Sequence, residues 1–302
     1  IKDLDSMPFP AWDLFPMEHY VLEKHIAAKH TDRCFPVLKS RGCPFNCNFC
    51  YRMYPGYRTR SNKSVIEEIR QLKKEYSVTH ITFADENLMA SEKIAVTFAE
   101  DLIKADLNIT WNCMGRLRAA KPQVLSAMKR SGSTYINYGI ESLDQKVLDL
   151  MNKQQTVEEA HAGVRNTIDA GMHPGLNIIW GNLGDNAETL KKGVEFLKKY
   201  NTGLQLRTVK PVTPYPGTKL FKYAVEKGML KDVEDFYAKY LNSDRMTVNF
   251  TEMADEEFYK NLFEGNKEVI EDYFSKRMES DIEGFRRCYF EADIDYRGPR
   301  HR

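Results

Sequence analysis

Short runs of β-favouring apolar residues alternate along the chain with longer segments of helical period. The runs lie near 34–38 (CFPVL), 78–84 (VTHITFA), 108–114 (NITWNCM), 134–140 (TYINYGI), 174–180 (PGLNIIW) and 203–209 (GLQLRTV). Between them, 63–76, 91–105, 121–131, 156–171, 187–200 and 217–228 repeat their apolar positions every three to four residues, the signature of an amphipathic helix. Ser64 ahead of Val65-Ile66-Glu67 has capping-box spacing, and Ser91 precedes the next apolar stripe. Gly132, Gly171 and Gly228 fall where helices are expected to stop.

Six strand–helix units in succession predict an α/β fold with a parallel sheet covered by helices. Six units suit an open, partial (β/α)6 TIM-like barrel better than a closed eight-unit one. Residues 1–33 read as a proline-rich N-terminal linker, because Pro8, Pro10 and Pro16 sit among Phe9, Trp12 and Phe15 and favour an extended path over a surface. Past Lys231 the alternation ends; 253–279 is helical in pattern and 297–302 is a basic tail. The expected division is therefore linker 1–33, barrel 34–230 and helical C-terminal extension 231–302.

Composition narrows the function classes. Of 302 residues, 42% are hydrophobic and 29% charged, which suffices for a sizeable core. Forty-four basic against 43 acidic residues leave a net charge of +1, which asks for neither nucleic acid nor an anionic membrane surface. No apolar run approaches the roughly 20 residues of a membrane span, and residues 1–16 lack the shape of a signal peptide. Six cysteines are too few and too clustered for a disulfide scaffold, so a reducing cytoplasm is the expected compartment. The chain opens on Ile1 rather than methionine, as a piece of something longer would.

The clustered thiols carry the chemistry. In Ser40-Arg41-Gly42-Cys43-Pro44-Phe45-Asn46-Cys47-Asn48-Phe49-Cys50-Tyr51, three cysteines occupy eight residues on the loop after the first strand. Three thiolates suit three corners of an iron–sulfur cubane and leave a fourth iron open to a ligand. Zinc is the alternative, but it asks for a fourth ligand, and neither His30 nor Cys34 has a usual spacing. Cys34, Cys113 and Cys288 stand alone and are expected in the core. His19, His25, His80, His161 and His173 have no partner at ligand spacing.

The spacing Cys-x3-Cys-x-Phe-Cys after a first strand resembles the signature of the radical SAM superfamily. The likeness extends over about residues 1–228. Arg58-x-Arg60-Ser61-x3-Val65-x-Glu67-Glu68-Ile69, Trp111-Asn112-Cys113-x2-Arg116, Tyr138-Gly139-Ile140-Glu141-Ser142 and Tyr215-Pro216-Gly217-Thr218 are similar to the barrels of members that carry a cobalamin-binding domain. Leu4-Asp5-Ser6-Met7-Pro8-Phe9-Pro10 is similar to the joint between those two domains.

The resemblance implies a [4Fe-4S] cluster on Cys43, Cys47 and Cys50, and S-adenosylmethionine (SAM) chelated to it and cleaved to a 5′-deoxyadenosyl radical that takes hydrogen from a substrate. Many members pass a methyl group through cobalamin; others cyclise, rearrange or oxidise. Where such barrels often have Gly-Gly-Glu for the SAM ammonium, this chain has Asp85, Glu86 and Asn87, each able to accept that hydrogen bond. Arg116 is a natural fork for the SAM carboxylate or an anionic substrate group, with a surface ion pair as the alternative. Glu141 and Ser142 match the position that bonds ribose and methionine, Ser142 having helix capping as its other role. Asn177 and Gly181 lie in the stretch that packs along adenosine, and Phe49 and Tyr51 are matched to adenine.

The expected partners are a small-molecule or peptide substrate, an electron donor such as flavodoxin or ferredoxin, and a cobalamin domain upstream or on another chain, since none fits in these residues. Arg41, Arg52, Arg58, Arg60 and Lys63 could attract an anionic substrate or the donor, but a solvated basic face is the preferred reading. Rival functions are a tRNA methylthiotransferase-like enzyme, which the helical, acidic tail argues against, and a non-catalytic zinc-holding scaffold.

Overall fold

A computed structural model describes the chain except residues 53–55, 202, 204, 241–245 and 293–302, so the basic tail lies outside the described residues. A short 3-10 turn at Trp12–Leu14 and α1 (Met17–Tyr20) precede β1 (Cys34–Val37), β2 (Ser40–Gly42) and β3 (Tyr57–Thr59). Then follow α2 (Asn62–Tyr76), β4 (His80–Phe83), α3 (Glu92–Ala105), β5 (Thr110–Gly115), α4 (Pro122–Arg130) and β6 (Ser133–Glu141). After α5 (Gln145–Leu150) and α6 (Val157–Asp169) come β7 (His173–Trp180), α7 (Ala187–Tyr200), β8 (Lys210–Pro211), α8 (Lys219–Glu226), α9 (Val233–Lys239) and α10 (Asp255–Glu291).

Six strands form one parallel sheet in the order β1-β4-β5-β6-β7-β8, and β2 and β3 make a separate antiparallel hairpin. This is the partial barrel the alternation predicts. Every pairing between sheet neighbours is parallel, so all strand ends of one polarity open on the same side, where ligands of parallel barrels bind.

The sheet's two faces differ. Trp111, Cys113, Ile136, Tyr138, Ile140, Ile178 and Trp180 join the main apolar core beneath the helices. Alternate positions of the same strands, among them His80, Thr82, Asn112, Asn137, Gly139, Gly175 and Asn177, belong to the opposite face, the lumen of the half-barrel. α10 closes one flank: Phe258 stacks on Trp180 with ring centroids 4.7 Å apart, and Gly265 lets the helix approach Leu190 and Val194 of α7. Its later turns expose Phe274, Met278 and Ile282.

Several local expectations need correction. The last strand is Lys210–Pro211, not 203–209; residues 202 and 204 lie outside the described residues, and Gln205–Val209 make no regular ladder. α2 is capped by Ser61, whose side chain accepts from Ser64 N, so Ser64 is one turn inside. α5 is capped by Asp144, not Ser142. The N-terminal segment is not merely laid on the surface, since Leu4, Met17 and Val21 are buried. Cys34 and Cys113 are in the core, but Cys288 is only half-buried on α10. Arg60 is not part of a solvated face: it pairs with Glu68 and donates to Leu38 O at 3.0 Å. Gly132, Gly171 and Gly228 do follow helices, each with positive φ. No helix among the described residues is long and apolar enough to cross a membrane.

Candidate functional site

The cysteine loop is tied across the strand ends by the asparagines between its thiols. Asn48 N donates to Met151 O (2.9 Å) and Asn48 Nδ2 to Leu150 O (3.0 Å), while Asn46 O accepts from Asn152 Nδ2 at 2.8 Å. Asn48 O accepts from Leu220 N of α8 (3.0 Å), and its Oδ1 faces Asn182 Nδ2 in the loop after β7 (3.4 Å). One short segment is thus fastened to α5, α8 and the β7 loop.

Arg116 follows β5 and is 7% exposed. Its guanidinium lies 3.7 Å from the Phe45 ring centroid, donates to Lys153 O and reaches Cys47 Sγ at 3.9 Å. It is therefore a buried cation against the cysteine loop, not a surface ion pair. The thiols sense one another: burial, then the charges of Cys47 and Cys43, push Cys50 up to about 11. A bound cation would reverse that cost by favouring the thiolate. Among the described residues no three Cys, His, Asp or Glu side chains already stand in coordination geometry around a point. The donor set fits a cluster by its chemistry, three soft thiolates on one anchored loop.

At the end of β6 the pairing with β7 slips by one residue between Gly139 and Glu141, and Glu141 takes φ +68°. Such a bulge re-aims a side chain at a cost that neighbouring contacts must offset. Here Glu141 turns back over Gly139 to meet Lys153 at 2.8 Å, both groups buried. A Cβ on Gly139 would stand 2.2 Å from Glu141 Oε1, so the glycine makes room for this pair.

The other strand-end residues divide into engaged and free groups. Asp85 is fully buried and holds the start of β2, accepting from Lys39 N (3.1 Å) and from Ser40 N and Oγ; burial raises its pKa against those bonds. Glu86 is exposed. Asn87 is buried with neither amide atom partnered, as are Gln155 and Arg116 Nε. Buried polar atoms left unpaired are uncommon and point to a missing partner. Ser142 Oγ accepts from Asp144 N at 3.2 Å.

Phe49 packs against the second apolar cluster, which includes Leu220, Phe236 and Phe250. Tyr51 is 54% exposed, its ring beside Gly217. Gly181 has φ +96°, and its missing side chain would meet Phe258 of α10 at 2.6 Å, so its openness serves helix packing. Asn177 lies lower, within the lumen: it donates to Asn137 Oδ1 (2.8 Å) and Tyr138 O (2.9 Å) and accepts from Arg207 Nη1 (2.8 Å).

The fold thus gathers Cys43, Cys47, Cys50 and Arg116 with Lys153, and sets Asn177 apart. Lys153, Gln155 and Asp185 escaped sequence reasoning. Asp185 accepts from Gly181 N (3.0 Å), Asn182 N (2.9 Å) and Thr189 Oγ1 (2.7 Å), and burial lifts it to about 6. Only the Asn-Leu-Gly-Asp-Asn turn composition hinted at it.

The Radical SAM superfamily matches residues 37–197, more than half of the chain. An uncharacterized methyltransferase of Pyrococcus horikoshii is 28% identical over 305 aligned positions, covering 97% of this chain and 64% of that protein. An anaerobic magnesium-protoporphyrin IX monomethyl ester cyclase of Rubrivivax gelatinosus is 28% identical over 243, covering 78% of this chain and 42% of its own. The chain thus spans about two fifths to two thirds of the length of these curated relatives. In fold it is similar to the radical S-adenosylmethionine methyltransferase TsrM of Kitasatospora setae, solved with cobalamin and a [4Fe-4S] cluster: TM-score 0.59, 14% identity, 68% of this chain and 44% of that one. With more than half of its length matched and its three thiols at the strand ends of a parallel half-barrel, this chain belongs to the radical SAM superfamily of enzymes.

Proposed function

We propose that this chain is the SAM-cleaving barrel of a cobalamin-dependent C-methyltransferase. The observation that carries the reading is the anchored loop of Cys43, Cys47 and Cys50, with the buried Arg116 guanidinium against Cys47. In this reading the three thiolates hold a [4Fe-4S] cluster, which when reduced supplies the electron that breaks the S–C5′ bond of SAM and gives a 5′-deoxyadenosyl radical.

The chain's own residues bind and orient. Asn87 and Gln155 offer unpaired amides to the polar groups of SAM. Arg116 screens the charge of the loop thiolates. The Glu141–Lys153 pair presents one fixed charge of each sign beside the strand ends, and Ser142, Glu86, Phe49, Tyr51 and Gly181 complete the surround that the resemblance implies. The methyl-transfer part leans on the relative named a methyltransferase and on a cobalamin domain upstream or on another chain. An electron donor of flavodoxin or ferredoxin type is needed, and the cytoplasm suits free thiols.

Anaerobic reconstitution with iron and sulfide, followed by reduction, EPR and assay of 5′-deoxyadenosine, tests the reading. A reduced-cubane signal and SAM cleavage are expected. Cys43→Ala, Cys47→Ala or Cys50→Ala should lower cleavage by at least about a hundredfold, since a lost ligand removes the open-iron site; Cys113→Ala, in the core, should retain it. Stoichiometric zinc with no cubane signal would overturn the proposal.

A further inference from the structure

The Arg207 guanidinium lies in the lumen, below the site just described. Arg207 donates to Asn177 Oδ1 at 2.8 Å, to Asn137 Oδ1 at 3.1 Å and to the Tyr135 hydroxyl, and its Nε is buried with no partner. All three acceptors are neutral. Among the described residues no carboxylate pairs with Arg207: on the same face Glu141 and Lys153, over Gly139, pair with each other, and Asn112, Thr82 and His80, which burial holds well below its ordinary pKa, are neutral. A half-buried charge bonded only to neutral dipoles has given up water without gaining a counterion, an arrangement that favours binding an anion.

The surroundings are built to aim it. Asn137 Oδ1 is fixed by Asn177 Nδ2, and the Tyr135 hydroxyl donates onward to Gln205 Oε1 at 3.1 Å. Gly175, paired with Asn137 across β6 and β7, is required: a Cβ there would lie 2.0 Å from the Tyr135 hydroxyl and 2.4 Å from Asn137 Oδ1. The guanidinium spreads its donors over three acceptors, none of which carries a charge to match its own.

We infer that Arg207, with Asn137, Asn177 and Tyr135, forms an oxyanion anchor in the barrel lumen for a carboxylate or phosphoryl group of the substrate. Asn137 precedes Glu141 by four residues, so the anchor lies about 13 Å beneath the strand ends. The substrate class is then an elongated molecule whose anionic group is roughly 10 to 13 Å from the carbon that reacts. The anchor's link to a substrate rests on the proposed radical chemistry, but its occupancy is measurable without turnover.

The test is the melting temperature of the full chain in sodium acetate and in inorganic phosphate, each against chloride at equal ionic strength. Binding to the folded state alone should raise the wild-type melting temperature by about 2 °C or more at an anion concentration tenfold above its dissociation constant. The acetate and phosphate arms tell a carboxylate from a phosphoryl preference. Arg207→Gln should lose the rise, whereas Arg207→Lys should keep part of it.

Should Arg207→Gln fail to fold, Asn137→Asp serves, because only the Oδ1 of Asn137 is used in this network. It places a built-in counterion beside the guanidinium, and should raise the melting temperature in chloride while abolishing the response to added anion. No anion-dependent rise in the wild type, or an undiminished rise in Arg207→Gln or Asn137→Asp, would overturn the anchor. Absence of SAM cleavage in the wild type would instead count against the proposed function and leave this readout standing.

Discussion

The outer and inner faces of the one parallel sheet are made by neighbouring residues yet obey different rules. Along β5, Trp111 and Cys113 point into the helix layer and Asn112 between them into the lumen; along β6, Ile136 and Tyr138 flank Asn137. Strands of parallel sheets are usually buried on both faces and read as continuous apolar runs. Here the alternation is the informative departure. The outer face holds the fold by area removed from water, while the inner face keeps hydrogen-bonding groups in reach of whatever enters the half-barrel.

The largest expected effect on stability belongs to the outer face. Trp111 is 1% exposed, lies edge-on to Phe83 at 5.4 Å and donates to Ser131 O at 2.9 Å. Trp111→Ala should cost about 3–5 kcal/mol in urea unfolding, the range for emptying a large aromatic site. If Asn112→Ala, its neighbour, proved as costly, the contrast between the faces would fail.

Next in size is a pH effect confined to the inner face. His80 accepts at Nε2 from Asn112 Nδ2 (2.8 Å) and donates from Nδ1 to Thr110 Oγ1 (2.8 Å), the pattern of a neutral ring. Asn112 Nδ2 also donates to Ile26 O at 3.2 Å, which fixes the orientation of that amide. Burial lowers His80 to about 4 from 6.5. The unfolded chain therefore takes up a proton before the folded one does. Stability from this group is complete above pH 6.5 and is lost as pH falls from 6.5 to 4, by about 3 kcal/mol in all. Asp185, lifted to about 6, works in the opposite sense over much of that window, so the test is the difference between wild type and His80→Gln. Equal slopes would show that folding leaves the protonation of the ring unshifted.

The smallest effect sharpens the same comparison. Asn112→Ala removes an amide whose two Nδ2 hydrogens are shared among His80, Ile26 O and Thr82 Oγ1 (3.0 Å) and should cost about 1–2 kcal/mol by chemical denaturation. That is well under the cost at Trp111, because removing a small amide forfeits a few hydrogen bonds whereas removing an indole empties a large apolar volume.

Much of this was legible in order along the chain. Strand-length alternation and helical period are local, so the strand–helix units and the partial barrel followed from them. The three thiols were legible because their loop is short and their chemistry depends on spacing. The local rules failed where two signals compete. Ser61 and Ser64 both lie at the start of the helix, and the chain caps with the first. The run 203–209 has strand composition, yet pairing starts only at Lys210. Its Arg207 side chain turns instead to Asn137, 70 residues away in sequence.

By itself, then, the sequence determined the repeating layers of the fold and the donor atoms of the cysteine loop, because periodicity and ligand spacing act over a few residues. Tertiary structure alone decided which polar residues meet. Glu141 closes one strand and Asn177 sits within the next, yet both belong to similar-looking runs in the sequence. The bulge turns Glu141 onto Lys153, and the register sets Asn177 beneath it against Arg207. Parallel pairing brings such residues together across whole helical crossovers, and a one-residue shift of register decides which face each one joins.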